Sequence, residues 1–198
     1  VVSREISNFL RLKHEEHGVK FIFQNLFINV SQENNLQKIQ LDKNHYLKKD
    51  LVIAGVGVLA RTELAQESNI KCNNGIIVDE NCKTSEDNIF AIGDCASRFN
   101  KLYKKYLRIE SVQNAIYQAK IVANYLTKDS KTDEAIPWFW SDQYDIKLQI
   151  AGMSEGYDKK ITKGSIVDEK FTVFYIRENK VICLEAVNSP KDFMLGKK

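Results

Sequence analysis

The sequence is poor in the residues that build metal or thiol chemistry, with four cysteines and three histidines among 198 residues. Cys72, Cys82, Cys95 and Cys183 lie far apart and form no C-x-x-C pair. This spacing indicates neither a zinc site nor a dithiol redox centre, and no metal ligand is assigned. Four lone thiols point to a reducing compartment, and without a signal-peptide pattern at Val1 the expected location is cytoplasmic. No apolar run approaches the roughly 18 residues of a membrane span. A net charge of only +3 gives no general argument for nucleic acid or an anionic membrane as partner. G-x-G-x-x-G is missing too, and with it the turn that seats a dinucleotide pyrophosphate on a helix N-terminus.

What is present is an ordinary globular composition, 43% hydrophobic, enough for one large or two small domains. The chain opens inside a helix lead-in and stops just after a fresh helix signal, so a segment of a longer protein is expected.

Ser3 is placed to cap a helix from Arg4 to about His17, with Ile6, Phe9, Leu10 and Lys13 along one face and Gly18 as its stop. Val19 to Phe23 reads as a strand. Leu26 to Val30 and Lys38 to Asp42 read as further strands, joined by the polar turn SQENN as a meander. Leu51 to Ala54 has the run of a buried strand entering Gly55-Val56-Gly57-Val58, where two glycines allow close contact with something flat or simply serve a tight turn. Gly75 to Asp79 is another strand.

Ile89 to Ile92 is apolar between turn-formers, which suits a strand covered on both faces. Gly93 permits a tight bend. Asp94 then projects where open parallel sheets bind their ligands, and its carboxylate can accept a sugar hydroxyl; a helix cap or turn role is the alternative. Arg98 to Arg108 is a basic, polar loop carrying Lys101, Lys104 and Lys105, either solvated surface or a dock for an acidic protein.

Ser111 is a plausible cap for a strong helix with Val112, Ala115, Ile116, Ala119, Val122, Ala123 and Leu126 as its buried stripe. Its start offers free amides and partial positive charge, although a plain packing helix fits the periodicity equally well. Thr127 to Glu134 is polar and marks a domain boundary. Pro137 to Asp145 holds both tryptophans, Trp138 and Trp140. Lys147 to Gly152, Phe171 to Ile176 and Lys180 to Val187 read as strands, the last two joined tightly at Glu178-Asn179, and Ser189-Pro190 opens a capped helix.

Three blocks, in order, carry a resemblance. T-S-x-x-x-I-F-A-I-G-D ending at Asp94, R-x-E-S-V-Q-N-A-x-x-Q-A from Arg108, and P-W-F-W-S-D-Q-Y from Pro137 resemble FAD-dependent pyridine nucleotide oxidoreductases of the ferredoxin reductase type, the putidaredoxin and rhodocoxin reductase group. DLVIAGVGVLARTELA resembles the end of that family's NAD(P)-binding domain, departing at Ala60-Arg61, where many members carry Pro-Asn.

The resemblance implies an α/β plus α+β fold. Residues 1–78 would end the NAD(P)-binding domain, 79–128 would be the return segment of the FAD-binding domain, and 129–198 an α+β reductase domain. It implies that Asp94, following Gly93 in the FAD site, holds the ribityl chain, that the Val112 amide, at the helix start capped by Ser111, meets the flavin, and that Trp140 lies near the flavin at the surface where the iron-sulfur protein docks. Gly55, Val56 and Gly57 would neighbour the nicotinamide.

The implied activity is hydride transfer from NAD(P)H to FAD and single-electron transfer to a [2Fe-2S] ferredoxin, with no side chain assigned as a catalytic acid or base. A flavin reductase of a small-molecule acceptor, as in monodehydroascorbate reductases, and a non-catalytic interaction module are the alternatives. The choice of NADH or NADPH and the oligomeric state are not encoded in these motifs.

Overall fold

Helix α1 (Arg4–Glu16) starts and stops as its sequence dictates. The Ser3 hydroxyl accepts the Ile6 amide at 3.2 Å, and Gly18, at φ +83°, turns the chain away with its amide on the Glu15 carbonyl at 2.9 Å. The computed structural model describes residues 2–25, 27–41, 45–128 and 134–197. They fall into two compact units, one of Val1–Ile6 with Leu59–Lys198 and the other of Ser7–Val58.

In the unit Ser7–Val58, β1 (Asn29–Glu33), β2 (Leu36–Gln40) and β3 (Tyr46–Lys49) form an antiparallel meander. The expected turn is shifted: Ser31 to Glu33 pair within β1, and Asn34, at φ +56°, reverses the chain. Leu26 and Asp42, the outer ends of the two expected strands, lie outside the described residues. Val19 to Phe23 is irregular rather than a strand, with the Phe21 and Phe23 rings stacked at 5.3 Å. Leu51 to Ala54 is also irregular, and Leu51 and Ile53 are 73% and 86% exposed. Such a run becomes a strand only between neighbours that complete its hydrogen bonds and cover both faces, and among the described residues no strand pairs with it.

After the short helix α2 (Glu63–Glu67), β4 (Ile76–Val78) pairs in parallel with β5 (Ala96–Asn100), which pairs antiparallel with β6 (Lys105–Leu107). The stretch expected to be a basic loop is thus a hairpin. Arg98 points inward, only 8% exposed, and makes a forked ion pair with Glu134 at 2.8 and 3.1 Å. Ile89 to Ile92 makes one isolated bridge, Lys83 to Phe90, plus the Ala91 amide on the Cys82 carbonyl at 3.0 Å, and is not a full strand.

Helix α3 (Val112–Thr127) packs through Ile121, Tyr117 and Val122 on Val78, Cys82, Ala91 and Ala96. The expected stripe is therefore rotated: Val112, Ile116 and Leu126 are exposed, and Gln118 and Ile121 are buried. The helix is apolar on two sides, and its periodicity alone could not choose between them. Of the polar boundary segment, residues 129–133 lie outside the described residues.

The rest is one antiparallel sheet in the order β7-β8-β11-β10-β9, with a helix on one face. Its elements are β7 (Trp138–Gln143), β8 (Ile146–Gly152), β9 (Lys159–Ser165), β10 (Lys170–Arg177), β11 (Lys180–Val187) and α4 (Pro190–Gly196). Glu178 and Asn179, at φ +49° and +60°, form the two-residue hairpin turn whose twist matches the strands.

Alternation along β11 splits the core. Leu184 and Ala186 pack with Ala151 and Phe193 beneath α4. Glu185, 1% exposed on the opposite face, accepts the Ser3 amide through both carboxylate oxygens at 3.1 and 3.0 Å. Ser189 does not cap α4 with its side chain; its hydroxyl donates to the Val187 carbonyl at 2.9 Å. Among the described residues no helix is long and apolar enough to cross a membrane.

Asp192 ties α4 to the sheet, accepting Lys163 Nζ at 2.7 Å and the Thr172 hydroxyl at 3.0 Å. The Lys163 hydrogen bond, then the Thr172 hydroxyl and the lysine's charge, outweigh burial and hold its carboxyl below the usual carboxylate range. Its contribution to stability is complete above the unfolded value of about 4 and is lost as pH falls through the lower folded value. Urea midpoints between pH 7 and pH 3 should show a steeper acid decline in the parent than in Asp192→Asn, and parallel curves would remove the linkage.

Candidate functional site

Gly93, at φ +77°, adopts a left-handed backbone that side chains resist, and it opens the short 3₁₀ turn Gly93–Cys95. Its amide donates to Gln118 Oε1 of α3 at 2.6 Å, and a Cβ at this position would sit 3.6 Å from the Ala115 Cβ. The turn therefore rests on the second turn of α3. Asp94 follows with an exposed carboxylate, and its backbone carbonyl accepts Arg108 Nη1 at 3.2 Å. The same nitrogen pairs with Glu110, one residue before the α3 cap.

Ser111 caps α3 as expected, its hydroxyl accepting the Asn114 amide at 3.1 Å. The Asn114 side chain ties back to the Ile109 carbonyl at 2.9 Å. The first amides of the helix, those of Val112 and Gln113, have no acceptor within it, and the helix dipole adds partial positive charge there. Val112 is 65% exposed, so this start faces outward. The structure seats the Gly93–Cys95 turn against α3 and, through Arg108, ties Asp94 to Glu110 next to the Ser111 cap, so an exposed carboxylate and an exposed helix start share one region. Such a pairing can take hydroxyls at the carboxylate and negative charge at the amides.

The indoles divide. Trp138 is half-buried, edge-on to Phe193 at 5.7 Å and covered by Lys197 Nζ at 3.9 Å, which locks α4 to β7. Trp140, 5.7 Å from Trp138, stays 45% exposed. A cavity of about 140 Å³, lined by Ser111, Asn114, Tyr117, Arg98, Glu134 and Trp138, joins the α3 start to the first indole but does not include Trp140.

Gly55, Val56 and Gly57 belong to the other compact unit and are exposed. A Cβ at either glycine would meet nothing within 4 Å, and Gly57 has φ +99°, so the backbone is open to a flat ligand. Burial pushes the Cys82 thiol up to about 11 and the Cys183 thiol up to about 12, too high for either to act as a thiolate near neutrality.

Two residues of the site were missed by sequence reasoning. Gln118 was signalled only as a polar residue inside the block that contains it, and Arg108 as the first letter of the same block. The lysines read as a possible dock are partly neutralised, since Lys101 meets Glu80 at 2.5 Å and Lys105 pairs with Glu155.

Comparison with known proteins adds the following. A family model described as pyridine nucleotide-disulphide oxidoreductase matches residues 1–119, and a reductase C-terminal model matches residues 138–198. A putidaredoxin reductase of Pseudomonas putida is 38% identical over all of this chain and 47% of its own length. A rhodocoxin reductase of Rhodococcus erythropolis is 34% identical over all of this chain and 46% of its own. The reductase in a covalent putidaredoxin reductase–putidaredoxin complex superposes with a TM-score of 0.94 at 38% identity, over the whole of this chain and 48% of that one. The chain spans about half the length of the curated relatives it matches.

Gln118→Leu keeps the side-chain bulk but leaves the Gly93 amide without its acceptor. It should cost about 1–3 kcal/mol in denaturant unfolding, the range for an orphaned buried donor. An unchanged midpoint would mean that the turn does not depend on this bond.

Proposed function

Because the chain belongs to the pyridine nucleotide-disulphide oxidoreductase family, we propose that it forms the carboxyl-terminal part of an FAD-dependent NAD(P)H:ferredoxin reductase. The chemistry that FAD supplies when bound is the passage of a hydride's two electrons from NAD(P)H to one-electron carriers. This chain's residues bind and orient. The Asp94 carboxylate accepts a ribityl hydroxyl, and the Val112 amide with the α3 start faces the flavin carbonyl region, where negative charge gathers on reduction. Trp138 and Trp140 restrict water beside them. Gly55 to Gly57 give the nicotinamide an open backbone to lie against.

The observation that carries this reading is the seating of the Gly93-Asp94 turn on the first turns of α3. Under it, residues 1–78 end the nicotinamide domain, 79–128 return to the flavin domain and 129–198 form the reductase domain. The partner is a [2Fe-2S] ferredoxin, supported by relatives named putidaredoxin reductase, rhodocoxin reductase and ferredoxin–NAD(P)+ reductase. Four free cysteines suit a cytoplasmic setting.

A small-molecule acceptor is the second reading. It is favoured by the neutralisation of Lys101 and Lys105, which weakens the case for an acidic protein docking on the β5–β6 hairpin.

Neither glycine fingerprint is present, so the purified 198-residue chain should show no stoichiometric flavin absorption in the visible. A yellow protein with one FAD per chain would contradict this. In the whole reductase, the rate with a [2Fe-2S] ferredoxin should fall steeply between low and high salt. A rate indifferent to salt would instead favour the small acceptor.

A further inference from the structure

Arg108 is held by several groups near the proposed flavin anchor, although it is not among the residues expected to touch a cofactor. Its Nε donates to Asn74 Oδ1 at 3.3 Å, and its Nη1 donates to the Asp94 carbonyl at 3.2 Å and pairs with Glu110. The side chain is only 11% exposed. The stem has a prepared path. Gly75 lies at φ +121°, and a Cβ there would fall 2.9 Å from Arg108 Cδ and 2.8 Å from the Cys95 carbonyl oxygen. One guanidinium thus joins three pieces of chain: the turn entering β4, the carbonyl behind the Asp94 carboxylate, and the residue before the α3 cap.

We infer that Arg108 is a positioning residue for the flavin site, setting the Asp94 carboxylate against the start of α3. This rests on the reading of Asp94 as a flavin anchor. The argument is geometric. Gln118 fixes Gly93 from the second turn of α3, and the Ala96 amide closes the turn on the Gly93 carbonyl, but neither bond ties Asp94 to the segment that leads into α3. Arg108 supplies the second point of attachment at Asp94 itself. A planar fork is required, because a lysine ammonium is a point charge on a flexible stem and cannot address Asn74, Asp94 and Glu110 in fixed directions together. Glu110 neutralises the guanidinium, so the device positions without adding net charge beside the helix start.

The test uses the whole reductase and reads FAD dissociation by equilibrium dialysis, flavin visible circular dichroism, and unfolding of the apoprotein. Arg108→Lys should weaken FAD binding about tenfold, equivalent to roughly 1.4 kcal/mol, and alter the flavin dichroism. Asp94→Ala should weaken binding by at least as much. The double variant should be no weaker than Asp94→Ala alone, because Arg108 acts through Asp94. Additive losses in the double variant would overturn the inference, as would Arg108→Lys binding FAD like the parent or losing it only in proportion to apoprotein stability.

If Arg108→Lys does not fold, Asn74→Ala removes only the outer contact. It should still give a few-fold loss that vanishes in the Asp94→Ala background, and a loss that persists there counts against the inference. If Asp94→Ala itself retains FAD unchanged, the flavin-anchor reading fails and this inference fails with it. A loss with Asp94→Ala but none with Arg108→Lys defeats the inference alone.

Discussion

The hydrogen bond from the Gly93 amide to Gln118 organises the centre of the molecule. It places a polar side chain, 2% exposed, where the periodicity of α3 would otherwise call for an apolar one. A buried amide oxygen without a partner would be costly, so the turn and the helix are obliged to meet at one spot. From this follow the left-handed Gly93, the outward Asp94 and the proximity of the Ser111 cap. Ala115 and Ala91, both small, leave room for that approach.

The antiparallel sheet serves the site indirectly. Its strands present alternating faces, one closed by α4 and one tied to the start of the chain through Glu185 and Ser3. The buried carboxyl group receives the Ser3 amide at both oxygens, so neither is left without a hydrogen-bond partner. Because Trp138 is fixed by Phe193 and Lys197, β7 has a defined position, and Trp140, two residues on along the same face, is presented rather than packed. One indole supports the structure and the other remains available at the surface.

Much of this was legible in the sequence where local chemistry decides. Ser3, Gly18, Ser111 and Asn179 behave as their residue types require, and the three blocks named the family that the comparisons support. What was not legible depended on tertiary choice. The strand β7 was hidden because consecutive aromatics mask alternation, and β9 because an exposed edge strand, KKITKGS, carries almost no apolar signal. Arg98 looked like part of a charged surface, and Glu134, far along the chain, turns it inward together with the Glu80 carbonyl and the Tyr117 ring. Gln118 follows the same logic because its partner is a backbone amide, and Arg108 because it joins the Asp94 carbonyl to side chains on separate segments, Asn74 and Glu110.

The errors at Leu51 to Ala54 and along α3 have a common cause. Both segments are apolar enough to be buried, and sequence reading placed them in the interior; in the structure Leu51, Ile53, Val112 and Ile116 are exposed. Apolar periodicity reflects the surroundings in which a segment is stable, and in these two places the described residues do not supply those surroundings. The matched relatives are about twice as long as this chain. Both faces are of the kind that further protein covers, and among the described residues they stay exposed. The same exposure leaves the Val112 amide and the Asp94 carboxylate open. A carboxylate and a helix start left open in this way can take hydroxyls at one and negative charge at the other, and that is the chemistry on which the proposed flavin contact depends.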